Sequence, residues 1–151
     1  MQDGASVLFE VVKVRGKGMA LVCDQEIKPG GFVCQYTGEV ISLEAYRCRE
    51  QVLKGALNGY GMAVGTDEVI DARNVGDVAR FANHSCSPNC VVERWEVNGE
   101  ICCAFYATRH IEVGGEITIG YGRGNTKSKV RKLFSLVGCS CPQFPTSYTD
   151  V

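Results

Sequence analysis

A chain of 151 residues, 45% hydrophobic and 22% charged, has the length and balance of one globular domain with a sizeable core. Its net charge of −1 gives no overall bias towards nucleic-acid phosphates. No apolar run approaches the ~20 residues of a membrane span, and Met1-Gln2-Asp3-Gly4 lacks a signal-peptide pattern, so a soluble, non-secreted protein is expected.

The apolar runs Val7–Val14 and Met19–Cys23 read as strands broken by the turn Arg15-Gly16-Lys17-Gly18. After the turn Pro29-Gly30-Gly31 come candidate strands Phe32–Tyr36 and Glu39–Ile41. Ser42 fits the N-cap of a helix over Leu43–Lys54, with Gly55 as its stop. Two short strands follow, Tyr60–Val64 and Glu68–Ala72. Cys90–Val97 and Glu100–Ala107 flank Asn98-Gly99, a strong hairpin signal. Glu116–Ile119 reads as a further strand, and Lys127–Val137 has helical spacing at Val130, Leu133, Phe134 and Val137 before Gly138. No internal repeat is evident. Short, closely spaced strands with one or two helices predict a mainly β, β-rich α+β domain of small sheets.

Nine cysteines cannot all pair within one chain, and thiol, packing or metal roles come before a disulfide scaffold. The late basic cluster Arg123, Lys127, Lys129, Arg131 and Lys132 reads first as a solvated helix face. Asp67, Glu68, Asp71 and Asp77 are either solvated loop charge or an attraction for a basic peptide.

The run Arg80-Phe81-Ala82-Asn83-His84-Ser85-Cys86-Ser87-Pro88-Asn89-Cys90 is a polar cluster between apolar strands. Such a cluster is costly unless its groups find partners, so it is either a hydrogen-bonded structural loop or a ligand site. The run resembles the Arg-Phe-x-Asn-His-Ser-Cys-x-Pro-Asn signature of the SET family of protein lysine methyltransferases. Gly16-Lys17-Gly18, Tyr36-Thr37-Gly38-Glu39 and Gly114-Gly115-Glu116-Ile117-Thr118-Ile119-Gly120-Tyr121-Gly122 are similar to further motifs of that family, in the same order.

The resemblance implies a SET-domain fold of several small β-sheets with a knot-like threading, residues 1–122, and a short post-SET-like C-terminal appendage, residues 123–151. It implies methyl transfer from S-adenosylmethionine to a lysine of a protein substrate, a histone tail or nucleosome, and hence a nuclear location. The cofactor is expected against Lys17, Gly18, Met19, Tyr60, Arg80, Asn83 and His84. Tyr121 matches the family's catalytic tyrosine, Tyr36 is a second catalytic candidate, and Tyr36, Tyr60 and Ile119 line the lysine channel. Methyl transfer is an in-line displacement that needs alignment more than covalent help. A free lysine, with a pKa near about 10.4, must lose its proton, and a desolvated aromatic channel favours that.

The sequence departs from the family at several points. Gly120 stands where many members have Asp, and Ile119 where many have Phe or Tyr; a smaller wall admits higher methylation states, unless Tyr60 narrows the channel. Cys139-Ser140-Cys141 is similar to the start of the post-SET Cys-x-Cys-x4-Cys motif, whose thiolates join the cysteine of Asn-His-Ser-Cys around zinc, but Thr146 occupies the third position. Cys86, Cys139 and Cys141 thus leave a structural zinc one ligand short. The rival readings are an inactive SET-like module that binds lysine-containing peptides, a thiol hydrolase using Cys86 with His84, two residues not expected to align within one segment, and a zinc nucleic-acid binder.

Overall fold

The computed structural model describes residues 7–53 and 60–120, together with the backbone of the strand at residues 131–133. The first hairpin joins β1 (Phe9–Val14) to β2 (Gly18–Cys23), antiparallel with Val14 opposite Gly18. β2 continues on its other side into residues 115–117: Cys23 N–H donates to Gly115 O at 3.1 Å and Ile117 N–H to Leu21 O at 2.8 Å.

The second sheet is β3 (Phe32–Tyr36), β9 (Glu100–Ala107) and β8 (Cys90–Val97), with β9 in the middle. Asn98 and Gly99 close its hairpin with φ of 53° and 80°, the left-handed pair that a two-residue primed turn demands. The third sheet has the order β11-β5-β6-β4, from β4 (Glu39–Ser42), β5 (Gly61–Ala63), β6 (Glu68–Asp71) and β11 (Arg131–Leu133). A fourth pair is parallel: β7 (Asn83–His84) beside β10 (Thr118–Ile119). The expected β-rich set of small sheets is present.

The helix α1 spans Leu43–Val52, where the Ser42 Oγ accepts from Ala45 N–H at 3.1 Å, as its N-cap position predicts. The expected extension to Lys54 and the stop at Gly55 lie outside the described residues. Tyr46 is the buried side chain of α1, and Arg49 pairs with Asp71 at 3.1 Å and Glu39 at 2.6 Å, pinning the helix across β4 and β6. Asp71 is therefore no lure for a basic peptide: its side chain is fully buried and also accepts from Arg73 N–H. Asp77 is engaged as well, capping a 3-10 turn at Val78–Phe81 through Val78 N–H at 2.7 Å.

Two sequence readings are corrected, and one recurrence is added. The helical spacing over Lys127–Val137 gives way at Arg131–Leu133 to strand β11, antiparallel to β5. The edge of β5 otherwise presents unpaired backbone groups, and satisfying them outweighs a local helical preference. The sequence also uses one turn twice, at Ile27–Gly31 and Ile111–Gly115. Each has a glycine with φ near 80°, followed by an N–H to C=O bond of 2.9 Å, and Ile27 and Ile111 pair with each other. Finally, Cys86 Sγ lies 3.4 Å from His84 Nε2. The chain bends at Cys86, just after β7, which brings together two groups not expected to meet.

The core is apolar and continuous. Leu21, Val33, Tyr36, Met62, Ile70, Phe105, Ile117 and Ile119 are buried within it, each side chain contributing about 1.5–3 kcal/mol of transfer free energy. Ala82, just before Asn83, and Ile119, which pairs with His84, belong to it, so the segment carrying Asn83 and His84 lies against this core.

Candidate active site

The first wall is the β1–β2 turn. Gly18 has φ +80°, which L side chains rarely adopt, and a Cβ there would meet nothing within 4 Å. Glycine is required here by conformation rather than by space, and the turn leaves the Lys17–Met19 backbone at the surface. Met19 is 42% exposed although Ala20 and Leu21, which follow it in β2, are fully buried, which fits a ligand-facing position better than a core one.

The second wall is β7. The Asn83 amide donates to Met19 O at 2.9 Å and to Glu116 Oε1 at 3.1 Å. Both partners are acceptors, so the nitrogen is assigned without ambiguity and Asn83 Oδ1 is the acceptor end of the group. Glu116 Oε2 also faces Lys17 Nζ at 3.4 Å. Lys17, Met19, Asn83 and Glu116, scattered through the sequence, thus meet at one point. Burial pushes the His84 imidazole below its usual pKa, so it is neutral at pH 7.

The aromatic part of the site is built around Tyr60. Its ring meets Phe81 edge-on at 6.2 Å, and the Arg80 guanidinium lies 5.7 Å from the Tyr60 ring and 4.8 Å from that of Phe81. Arg80 is held from behind by a bond from Nη1 to Ala72 O at 3.1 Å. Tyr36 is 1% exposed, and its hydroxyl donates to Tyr60 O at 2.6 Å. Tyr36 therefore positions Tyr60 from below. Gly38 follows from the same packing: a Cβ there would lie 2.5 Å from Asp71 O.

Ile119 is buried, and its carbonyl accepts from Ser85 N–H at 3.1 Å, tying β10 to the end of β7. Tyr121, two positions beyond Ile119, lies outside the described residues, as do Cys139, Cys141, Thr146 and, of the late basic cluster, Arg123, Lys127 and Lys129, whereas Arg131 and Lys132 fall in strand β11 and not on a helix. Cys86 is exposed, and among the described residues no group of three or more candidate ligands could hold a metal. The described residues alone therefore do not make a zinc site, and no role is assigned to the metal.

Sequence reasoning passed over two residues that hold this arrangement. Asn89 donates from Nδ2 to Glu116 O at 2.8 Å and accepts at Oδ1 from Thr118 N–H at 2.9 Å. Its side-chain amide thus stands in for a neighbouring strand. Glu116 is the other, and its signal was its place directly before the Ile-Thr of the last motif. Arg109 adds support, donating to Ser87 and Pro88 carbonyls at 3.1 and 3.3 Å.

Small antiparallel sheets around a parallel pair, with the Asn-His segment on that pair, define the class of fold, and the comparisons agree. A family model of the SET domain matches residues 18–122. The chain belongs to the SET-domain family. It is 37% identical over 87% of its length to the histone-lysine N-methyltransferase ASHH1 of Arabidopsis thaliana, covering 27% of that protein. It is 40% identical over 80% of its length to a Kluyveromyces lactis histone-lysine N-methyltransferase described as H3 lysine-36 specific, covering 17% of it. With human SETD2 the identity is 34% over 83% of the chain and 5% of the relative. A solved structure described as ctPRC2 in an autoinhibited conformation bound to S-adenosylmethionine superposes with a TM-score of 0.73 at 28% identity, covering 80% of this chain and 16% of that one. The chain spans about a quarter or less of each of these curated relatives.

Proposed function

We propose that this chain is the catalytic core of a histone-lysine methyltransferase that takes its methyl group from S-adenosylmethionine. The observation that carries the reading is the convergence of the Lys17–Met19 turn, Asn83 and Glu116 beside the aromatic group of Tyr36, Tyr60 and Phe81. Residues 1–122 act as the catalytic domain and 123–151 as a post-SET-like segment, a division supported by the end of the family match at residue 122.

The methyl donor supplies a methyl group on a positively charged sulfur, and the protein's own part is to bind, orient and exclude water. Lys17, Gly18 and Met19 offer backbone groups, Asn83 Oδ1 offers an acceptor for a cationic amine, and neutral His84 adds no competing positive charge. Arg80 and Tyr60 form a flat, half-buried surface suited to a planar ring. Tyr36 fixes Tyr60 as a wall of the lysine channel, and buried Ile119 is the further wall that the motif supplies. An apolar, aromatic channel raises the cost of an ammonium, so the target lysine enters reaction as the neutral amine. Tyr121 orients that amine through its hydroxyl.

The names of the relatives make a histone tail the first substrate to test, with lysine 36 of histone H3 its finer form, and a nuclear location follows from such a substrate. The test is transfer of a radiolabelled methyl group to nucleosomes and to each free histone, with mass spectrometry of the product. Labelling of a histone lysine is the expected result. Cofactor binding without transfer to any histone would favour the inactive peptide-binding module instead.

A further inference from the structure

Asn83 has two amide hydrogens, and the structure commits each to a different acceptor: the Met19 carbonyl and Glu116 Oε1. The Met19 carbonyl already selects the nitrogen, because a carbonyl cannot donate and would repel the amide oxygen if the group turned round. A second acceptor that cannot donate takes up the other amide hydrogen and raises the cost of turning the group further. A carboxylate is such a group, whereas water or a hydroxyl is not. Glu116 is itself fixed at three points. Its second oxygen faces Lys17 Nζ at 3.4 Å, its carbonyl accepts from Asn89 Nδ2 at 2.8 Å, and its backbone pairs with Val22.

We propose that Glu116 is a positioning residue for the methyl donor, acting through Asn83. Its carboxylate locks the Asn83 amide with nitrogen towards the protein, which leaves Oδ1 as a preorganised acceptor for the ammonium of the ligand. Through Lys17 the same carboxylate holds the β1–β2 turn against β7, so both walls of the cofactor site are set by one side chain. The proposal rests on the methyltransferase reading and deepens it. Preorganisation of this kind lowers the ordering cost on binding, so its loss falls on cofactor affinity and on the cofactor KM rather than on turnover at saturation.

The test is a double-mutant cycle read by calorimetric titration of the whole chain with S-adenosylmethionine. The variants are Glu116→Ala, Glu116→Gln, Asn83→Ala and the double Glu116→Ala/Asn83→Ala, each checked for its unfolding midpoint. Glu116→Ala is expected to weaken binding about tenfold, the scale of one well-placed hydrogen bond to a charged group. Glu116→Gln keeps an oxygen that can accept from Asn83, and is expected to recover most of that loss. In the Asn83→Ala background, Glu116→Ala is expected to cost much less than in the wild type, because the amide it orients is gone and only its exposed contact with Lys17 is left to lose. A loss that persists undiminished in that background overturns the proposal, as does wild-type affinity in Glu116→Ala. A wild-type chain that binds no S-adenosylmethionine overturns the methyltransferase reading itself, a result separate from either of these.

Discussion

Asn89→Ala tests how the last asparagine of the signature holds the site. Its side chain accepts from Thr118 N–H at 2.9 Å and donates to Glu116 O at 2.8 Å, and the Thr118 hydroxyl lies 3.2 Å from Oδ1. Truncation strands a backbone N–H on a residue only 8% exposed and a carbonyl on a half-buried one. A buried polar group left without its partner costs about 1–3 kcal/mol, and water can reach the Glu116 carbonyl more readily than Thr118 N–H. The expected loss is therefore about 2–4 kcal/mol. For a chain of this size that is a fall in Tm of roughly 5–15 °C. The assay is urea unfolding followed by fluorescence, with a thermal scan beside it. Since Thr118 pairs with Asn83 in the parallel ladder, the same variant should also bind S-adenosylmethionine more weakly. Asn89→Asp sharpens the test: it keeps an acceptor for Thr118 N–H but sets a carboxylate against the Glu116 carbonyl, so it should not rescue. A loss below about 0.5 kcal/mol in Asn89→Ala, within the range of ordinary surface substitutions, would refute the reasoning.

Tyr121→Phe should lower turnover by one or more orders of magnitude while cofactor affinity changes little, measured by steady-state kinetics and calorimetry; full activity would remove Tyr121 from the chemistry. At saturating cofactor the rate should climb from about pH 7 into the alkaline range as the substrate lysine, with its pKa near about 10.4, loses its proton, and a flat profile would mean that another step limits the rate. Burial pushes the Cys90 and Cys103 thiols up to about 12, so at pH 8 only about one molecule in ten thousand carries either as thiolate. Exposed Cys48 and Cys86 should therefore alkylate in the native protein, with Cys90 and Cys103 labelled only after unfolding, as read by peptide mass spectrometry. Elemental analysis of fresh protein should find less than one zinc per chain, readily lost to a chelator, because Cys86, Cys139 and Cys141 make an incomplete set; one zinc per chain that resists a strong chelator would show that a further ligand exists.

Much of the scaffold was legible because its local signals agree with its tertiary structure. Ser42 caps α1, Asn98-Gly99 closes the hairpin where expected, and β3, β8 and β9 begin and end where their apolar runs do. The failures are the elements that exist only through a partner. β11 is a strand because β5 offers an edge, and no periodicity at Arg131–Leu133 records that edge. β7 is two residues long and parallel to an equally short β10, too brief for any alternation to register. The site divides in the same way. Asn83, His84 and Arg80 could be named from a motif, but the bonds joining Asn83 to Met19 and Glu116 span separations of 64 and 33 residues. Tyr36 was read as a channel wall, and the structure gives it a supporting part through Tyr60 that only three-dimensional contact could disclose.

The way polar groups are used explains why a fold of such small sheets can hold a reactive site at all. A two-stranded pair is at best marginally stable alone, and here the parallel pair consists of four residues. What fixes it is a frame of side chains doing the work of absent strands: Asn89 along β10, Glu116 and Asn83 between β7 and β2, and Arg109 across the Ser87–Pro88 turn. Asn83 draws its partners from positions 64 and 33 residues away and Asn89 from positions 27 and 29 residues away, so their bonds form only once those stretches have come together. The Asn83 amide is half-buried, and its bonds to Met19 and Glu116 exist only while β2, β7 and residue 116 are packed together, so this part of the site is lost when that packing is lost.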